Sequence, residues 1–174
     1  PEQSTKGTGI ILAANAMQVF KKIGLYEALE KRGNVLKKMN ITDENLKILS
    51  SVNVDQFSKI YNVNTIAIHR EELYNIINAK IKSETFFGKR LENISFEQGN
   101  LKMSFKDGQV AESDIIIGAD GINSNVRNSF FSKIALRAAE QLCWRGVANF
   151  KLPKYAEELN ELWGKGKRFG FVKI

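Results

Sequence analysis

The stretch DIIIGADGINSNVR, residues 114–127, joins an apolar run to a glycine-rich polar turn. Its continuous isoleucines are typical of a parallel strand buried on both faces, so we predict a strand over residues 115–117. Gly118 and Gly121 allow a tight turn and let another molecule approach the backbone closely. A helix is predicted to follow over residues 124–131. The sequence therefore indicates a strand–turn–helix unit.

Two charged side chains flank this turn. Asp120 lies at the carboxyl end of the predicted strand, where it could accept hydrogen bonds from ribose hydroxyls. Arg127 lies in the first turn of the predicted helix, where the helix dipole disfavours a cation. We therefore expect Arg127 to pair either with Asp120 or with a ligand phosphate. The alternative is an ordinary strand–turn–helix with a surface arginine.

Composition narrows the range of chemistry. The chain has 174 residues, of which 43% are apolar, and it contains one cysteine and one histidine. Cys143 cannot form an internal disulfide or a thiolate metal cage, and we expect it in the core. His69 leaves no histidine cluster for a metal, and we expect it to be a structural hydrogen-bonding residue. No apolar run is long enough to span a bilayer, so we expect a cytoplasmic protein.

The net charge is +7, from 26 basic and 19 acidic residues. Such a balance is compatible with nucleic acid, with an anionic cofactor or with a solvated surface. The lysines are scattered and are not interleaved with aromatic residues in one block. This distribution favours a solvated surface, and no nucleic-acid partner is predicted.

Apolar spacing predicts helices in the first half of the chain. A helix is predicted over residues 14–23, with Asn15 as N-cap and Gly24 as its stop, and a second over residues 25–31. A strand over residues 65–68 leads into another helix. The apolar faces of the first and last of these helices are formed by Met17, Phe20 and Ile23, and by Leu73, Ile76, Ile77 and Ile81.

Alternation and turn signals predict strands in the second half. Apolar residues alternate with polar ones across residues 85–113, and Gly99-Asn100 and Asp107-Gly108 punctuate them. This pattern is typical of a three-stranded antiparallel meander. The strand over residues 115–117 is expected beside residues 65–68, and a separate sheet is expected to include residues 142–150 and 169–173. The fold class is therefore a mixed α/β one.

The residues of the opening stretch resemble the "DG" motif of class A flavoprotein monooxygenases, the p-hydroxybenzoate hydroxylase superfamily of FAD-dependent hydroxylases and epoxidases. All its specified positions match, from Asp114 through Asp120 and Gly121 to Ser124 and Arg127. In that family the motif contacts the FAD pyrophosphate and also serves NAD(P)H binding. The resemblance implies cofactor-binding residues at Gly118, Ala119, Asp120, Gly121, Ser124 and Arg127.

Further segments agree with this family in order and spacing. Residues 7–25 resemble its G-x-G-I-x-L-x-x-N-A helix entry, with Ala14 where the family usually has proline. Residues 68–73 resemble its R-x-x-L segment, which implies that Arg70 contacts FAD. Residues 143–147 and 163–172 resemble parts of the substrate-domain sheet in salicylate-hydroxylase-like and zeaxanthin-epoxidase-like members.

The substrate-side candidates that follow from the resemblance are Trp144 and Arg145. Trp144, like Trp163, could instead be a core residue, and Arg145 could bind a substrate carboxylate or pair across the sheet. No protein group is predicted to be catalytic, because in this family the flavin carries the chemistry. NAD(P)H reduces FAD, and the reduced flavin uses O2 to oxygenate an aromatic or unsaturated small molecule.

The resemblance also implies a domain organisation. Residues 1–34 and 64–135 correspond to a Rossmann-like, three-layer FAD/NAD(P)-binding domain, and residues 35–63 and 136–174 to part of a mixed-sheet substrate domain. The family's opening G-x-G-x-x-G unit and its later Gly-Asp segment have no counterpart here. We therefore expect an internal fragment that by itself holds FAD weakly and hydroxylates nothing.

Three alternatives remain open at this point. The parent protein could be a non-hydroxylating flavoprotein of the same fold, such as a halogenase or a prenyl reductase. The basic charge could mark a non-enzymatic binding module, whose nucleic-acid affinity would fall steeply with salt. The chain could also be a non-catalytic remnant.

Overall fold

The computed structural model describes residues 8–97, 99–131 and 135–174 of the chain. They form a mixed α/β fold, which confirms the predicted fold class, and divide into two compact units. The meander unit is Glu84–Cys143, and the larger unit is the described part of Ser4–Ser83 together with Trp144–Ile174. None of the helices in the described ranges has the length and apolar character of a membrane span.

The larger unit contains most of the helices and strands. In chain order they are β1 (Gly9–Leu12), α1 (Ala14–Lys22), α2 (Tyr26–Arg32), β2 (Asn34–Leu36), β3 (Lys38–Thr42), β4 (Ile48–Asn53), α3 (Asp55–Tyr61), β5 (Thr65–His69), α4 (Arg70–Asn78), a 3-10 turn (Pro153–Tyr155), β9 (Glu158–Gly164) and β10 (Lys167–Phe171). The meander unit contains β6 (Leu91–Glu97), β7 (Asn100–Phe105), β8 (Val110–Ser113) and α5 (Asn125–Phe130).

Strand β5 is the centre of the first sheet, which has the order β1–β5–β2 with both pairings antiparallel. Every side chain from Thr65 to Ile68 is buried. Ile66 and Ile68 lie in the cluster that also contains Met17 and Leu29 of α1 and α2, whereas Ala67 lies in a second cluster. The strand predicted over residues 65–68 is therefore confirmed, and it is apolar because both its faces are covered.

The predicted helices are confirmed as α1, α2 and α4, with differences at their ends. Ala13 is the N-cap of α1, and Asn15 lies inside the helix, where its Oδ1 accepts a hydrogen bond from the Ala16 N–H. Ile23 follows α1 and is 59% exposed. Gly24 has φ of +70°, a left-handed conformation that stops the helix without a Cβ clash. Ile81 lies beyond the end of α4 and is exposed, so only three of its four predicted face residues pack on the core.

The second sheet has the order β10–β9–β3–β4. Its β3–β9 pairing is parallel and joins residues about 120 positions apart, such as Asn40 and Asn160. The strand predicted over residues 169–173 is confirmed in part, because β10 begins two residues earlier. The strand predicted over residues 142–150 was wrong: this segment is irregular and exposed, and β9 takes the place beside β10.

The meander unit contains the antiparallel sheet β6–β7–β8 predicted over residues 85–113. The strand predicted over residues 115–117 is not formed, and Ile115 and Ile117 are 77% and 87% exposed. A strand needs a hydrogen-bonded neighbour, and both edges of β5, its expected partner, are occupied by β1 and β2. The helix predicted over residues 124–131 is confirmed as α5.

Cys143 was expected in the core but is exposed. It lies in the irregular segment over residues 135–152, where the described backbone makes neither a helix nor a strand. Trp163, in β9, is 47% exposed, so it is not a core residue either. Small and aromatic residues are commonly buried, but neither Cys143 nor Trp163 is among the residues that form or pack against the two apolar clusters of the described chain.

We expect Ile68→Ala to lower the free energy of unfolding by about 2–5 kcal/mol, because the side chain is fully buried between helices and leaves a cavity. Ile60→Ala is the matched control: Ile60 is 67% exposed, and we expect its loss to change stability by about 0.5 kcal/mol or less. Urea denaturation followed by circular dichroism measures both. Equal effects of the two substitutions would contradict the central position of β5.

Candidate functional site

The turn between Gly118 and α5 is held together by the Asp120 carboxylate. Its Oδ2 accepts hydrogen bonds from the backbone N–H groups of Asn125 at 2.7 Å and Val126 at 3.2 Å. The Ser124 hydroxyl donates to its Oδ1. Ser124 also caps the helix, since its hydroxyl oxygen accepts from the Arg127 N–H at 3.0 Å. Asp120 therefore supplies the negative charge that the amino end of α5 favours.

These contacts lower the pKa of Asp120 below its ordinary value. The hydrogen bond from Ser124 is the largest cause, and the backbone N–H groups add to it, although partial desolvation opposes them. An ionised carboxylate offers about four acceptor positions, of which the protein uses three. Asp120 therefore serves mainly to hold the turn, and only about one of its acceptor positions is left for a ribose hydroxyl.

Two glycines shape the same turn. Gly121 has φ of +80°, which an L side chain rarely adopts. A Cβ at Gly118 would lie 2.8 Å from the Val126 Cγ1, so glycine lets the chain pass close to α5. Ala119, between them, is exposed. As the sequence predicted, the glycines allow a tight turn and a close approach to the backbone.

Arg127 does not pair with Asp120. Its Nη2 donates to the Ile122 carbonyl at 2.7 Å, and its Nε is buried without a hydrogen-bond acceptor in the described residues. A buried N–H without an acceptor is costly. Of the two partners considered from the sequence, the structure excludes Asp120. Contact of Arg127 with a ligand phosphate stays a prediction.

Arg70 begins α4, directly after β5. Its backbone N–H donates to the Thr8 carbonyl at 3.1 Å, while its side chain is exposed and forms no ion pair in the described part of the chain. His69 precedes it as the N-cap of α4, and its Nδ1 accepts from the Glu71 N–H at 3.3 Å. The predicted structural role of His69 is thus confirmed. The Arg70 guanidinium is free to bind an anion.

A cavity of about 560 Å³ lies within the larger unit. One wall is the face of the second sheet, with Met39 and Ile41 of β3 and Leu159 of β9. Phe57 and Tyr61 of α3 form an aromatic wall, with stacked rings whose centroids lie 6.5 Å apart. The remaining lining residues are Ala13, Ala14, Asn15, Gln18, Asn40, Ser50, Val52, Val54, Thr65 and Glu161. A mostly apolar cavity with a few polar groups is typical of a small-molecule site.

Glu161 is the charged residue of this lining. Its Oε1 accepts from the Trp163 Nε1 at 2.6 Å and from the Arg168 Nη1 at 3.2 Å. Both donors lie on exposed side chains of β9 and β10. No hydrogen bond to its Oε2 is formed within residues 8–97, 99–131 and 135–174. The carboxylate is therefore held through one oxygen, and the other keeps its acceptor capacity.

Known proteins resemble this chain over nearly its whole length. No protein-family model matches the chain. It is 30% identical over 171 residues to 2-heptyl-3-hydroxy-4(1H)-quinolone synthase of Pseudomonas aeruginosa, and 28% identical over 169 residues to aurachin C monooxygenase/isomerase of Stigmatella aurantiaca. Each alignment covers 97% of this chain and 44% of the relative. These matches confirm the resemblance to the class A flavoprotein monooxygenases over nearly the whole chain.

Solved structures agree with this assignment at the level of the fold. The crystal structure of Klebsiella pneumoniae HpxO complexed with FAD and uric acid matches with a TM-score of 0.74 and 18% identity. The match covers 95% of this chain and 43% of that one. The chain therefore spans less than half the length of these monooxygenase relatives.

The substrate-side candidates predicted from the sequence, Trp144 and Arg145, are not among the residues that line the cavity. Trp144 is 86% exposed, and Arg145 is exposed beside it in the irregular segment. Neither lines the cavity, and their contact with a substrate stays a prediction. Sequence reasoning missed the residues that do line it, including Glu161 and Phe57. The available signal was Glu161 itself, an acid that directly precedes the apolar pair Leu162 and Trp163.

We expect Asp120→Ala to unravel α5, because it removes the acceptor for the Asn125 and Val126 N–H groups. Amide hydrogen exchange over residues 125–130 measures this effect, and exchange there should become faster. Asp114→Ala is the matched control, since Asp114 is exposed and makes no hydrogen bond in the described part of the chain. Unchanged protection in Asp120→Ala would exclude the capping role.

The lowered pKa of Asp120 predicts a pH dependence. A carboxyl whose pKa is lowered on folding stabilises the fold above its unfolded pKa of about 3.9, and that stabilisation disappears as the pH falls through the folded pKa. A carbon-13 NMR titration of the Asp120 carboxyl should therefore have its midpoint below about 3.9. Ser124→Ala should raise the midpoint, and Ser129→Ala, whose hydroxyl donates to the Asn125 carbonyl, should leave it unchanged. A midpoint insensitive to Ser124→Ala would contradict the assigned cause.

Proposed function

We propose that this chain is part of an FAD- and NAD(P)H-dependent monooxygenase that hydroxylates or epoxidises an aromatic or unsaturated small molecule. The overall reaction consumes the substrate, O2, NAD(P)H and a proton, and yields the oxygenated product, water and NAD(P)+. The observation that carries the proposal is the DG turn, whose buried Arg127 Nε lacks an acceptor in the described residues. The names of the relatives support the same reaction class.

FAD would be held by the residues predicted from the resemblance. In the meander unit, Arg127 would supply positive charge to its pyrophosphate, and the backbone at Gly118, Ala119 and Gly121 would lie close to it. In the larger unit, the FAD contact of Arg70 is proposed from the resemblance alone. Asp120 and Ser124 would keep the turn in shape through their hydrogen bonds to α5. The chemistry that bound FAD would supply is hydride acceptance from NAD(P)H and activation of O2.

The cavity of the larger unit is the proposed substrate site. Its apolar sheet face and its Phe57 and Tyr61 rings would bind an aromatic substrate and keep water away from it. Glu161 and the side chains of Asn15, Gln18 and Ser50 would orient the substrate by hydrogen bonds. No protein nucleophile is needed, because the protein binds and orients while the cofactor performs the redox chemistry.

Titration of the purified chain with FAD, up to millimolar concentration, tests the cofactor assignment. Quenching of flavin fluorescence should saturate, and Arg70→Ala and Arg127→Ala should each raise Kd about tenfold, the effect of losing one charge-assisted hydrogen bond. Arg90→Ala, at an exposed arginine of the meander unit, should leave Kd unchanged. Absence of saturable binding, or equal Kd values for all four proteins, would refute the assignment.

A further inference from the structure

We infer that Glu161 makes the cavity selective for uncharged aromatic ligands that carry a hydrogen-bond donor, such as a ring N–H or a phenolic O–H, and makes it reject carboxylates. The inference rests on the proposed function, in which this cavity receives the substrate. It adds the class of substrate and names the residue that selects it.

The charge of the lining supports this selectivity first. Glu161 is the one charged residue among those that line the cavity in the described part of the chain, and neither a lysine, an arginine nor a histidine accompanies it there. A carboxylate ligand would therefore lose its hydration without gaining a cationic partner in the lining. It would also face the Glu161 carboxylate, whose charge Arg168 offsets only in part from outside the lining. Such a ligand is disfavoured on both counts.

The geometry of Glu161 supports the preference for a donor. Its Oε1 is occupied by Trp163 and Arg168, which fix the carboxylate on the face of the second sheet. Its side chain is 38% exposed, and its Oε2 accepts nothing from the described residues. A ligand N–H or O–H would satisfy this oxygen. Hydrogen bonds to a charged acceptor are among the stronger ones, so a ligand with a donor should have a clearly lower Kd than a ligand without one.

The aromatic wall supports the nature of the rest of the ligand. Phe57 and Tyr61 present stacked rings to a cavity whose other lining is largely aliphatic. Aromatic ligands gain both area burial and ring-to-ring contact at such a wall. Its volume of about 560 Å³ accommodates a fused two-ring compound.

Three ligands with the same two-ring skeleton separate these effects. At neutral pH, 2-naphthol offers an O–H donor, 2-methoxynaphthalene offers none, and 2-naphthoate is an anion. Isothermal titration calorimetry on the full chain, with and without FAD, should give a Kd for 2-naphthol about tenfold below that of the methoxy compound. The carboxylate should bind weakest of the three.

Variants then assign the selectivity to Glu161. Glu161→Gln should shrink the preference for 2-naphthol and improve binding of 2-naphthoate several-fold. Glu112→Gln makes the same charge change at an exposed site of the meander unit and should preserve the wild-type ratios. Arg168→Gln keeps the carboxylate but removes its cationic partner, so it should weaken 2-naphthoate further. Circular dichroism checks folding, and Arg168→Gln decides the question if Glu161→Gln does not fold.

The outcomes distinguish this inference from the proposed function. Wild-type ratios that persist in Glu161→Gln, equal binding of the three ligands, or binding of none of them would overturn the inference. Loss of the donor preference in Glu161→Gln, with the ratios intact in Glu112→Gln, would support it. Ligand discrimination by a chain that binds no FAD would leave the inference standing and would refute the proposed function.

Discussion

The burial of β5 on both faces is the constraint on which the larger unit depends. Its backbone pairs with β1 on one edge and β2 on the other, and its side chains enter two separate apolar clusters. A strand in this position is largely apolar, as Ile66, Ala67 and Ile68 are, and it ends where the chain returns to solvent. That end is His69, whose ring caps α4 and so brings Arg70 to the surface. The position of a predicted cofactor arginine is thus a direct consequence of core packing.

In the meander unit, the main constraint is that the first backbone N–H groups of the short helix α5 have no acceptor within the helix. The N–H groups of Asn125 and Val126 need acceptors, and Asp120 supplies them from within the turn. Because the acid is used in this way, it is not the counterion of Arg127. The arginine instead bonds to the Ile122 carbonyl and keeps a buried donor without an acceptor in the described residues. The same carboxylate therefore shapes the turn and leaves Arg127 without an acidic partner in the described residues.

In the proposed function the protein binds and orients the substrate while the cofactor performs the chemistry, and this accounts for the simple composition of the cavity lining. A site that binds and orients needs apolar walls and a few directional groups, and it needs no histidine, metal or activated nucleophile. The two aromatic side chains of α3 and the single acid of the cavity lining, Glu161, fit this description. Glu161 is held by partners on the outer part of its own sheet, so its orientation does not depend on the ligand.

The sequence by itself determined the local structure. Helical spacing located α1, α2 and α4, polar–apolar alternation located the meander, and the Asp-Gly turn indicated the family resemblance, because each of these features depends on neighbouring residues. Tertiary structure decided the pairings between distant segments. Residues 115–117 have the composition of a strand but no pairing partner in the described chain, whereas β9, which the spacing did not predict, pairs in parallel with β3 about 120 residues away. The same pairing brings Glu161 to the cavity wall. Backbone hydrogen bonds to a partner, and not composition alone, decide which apolar segment becomes a strand and which side chain reaches the site.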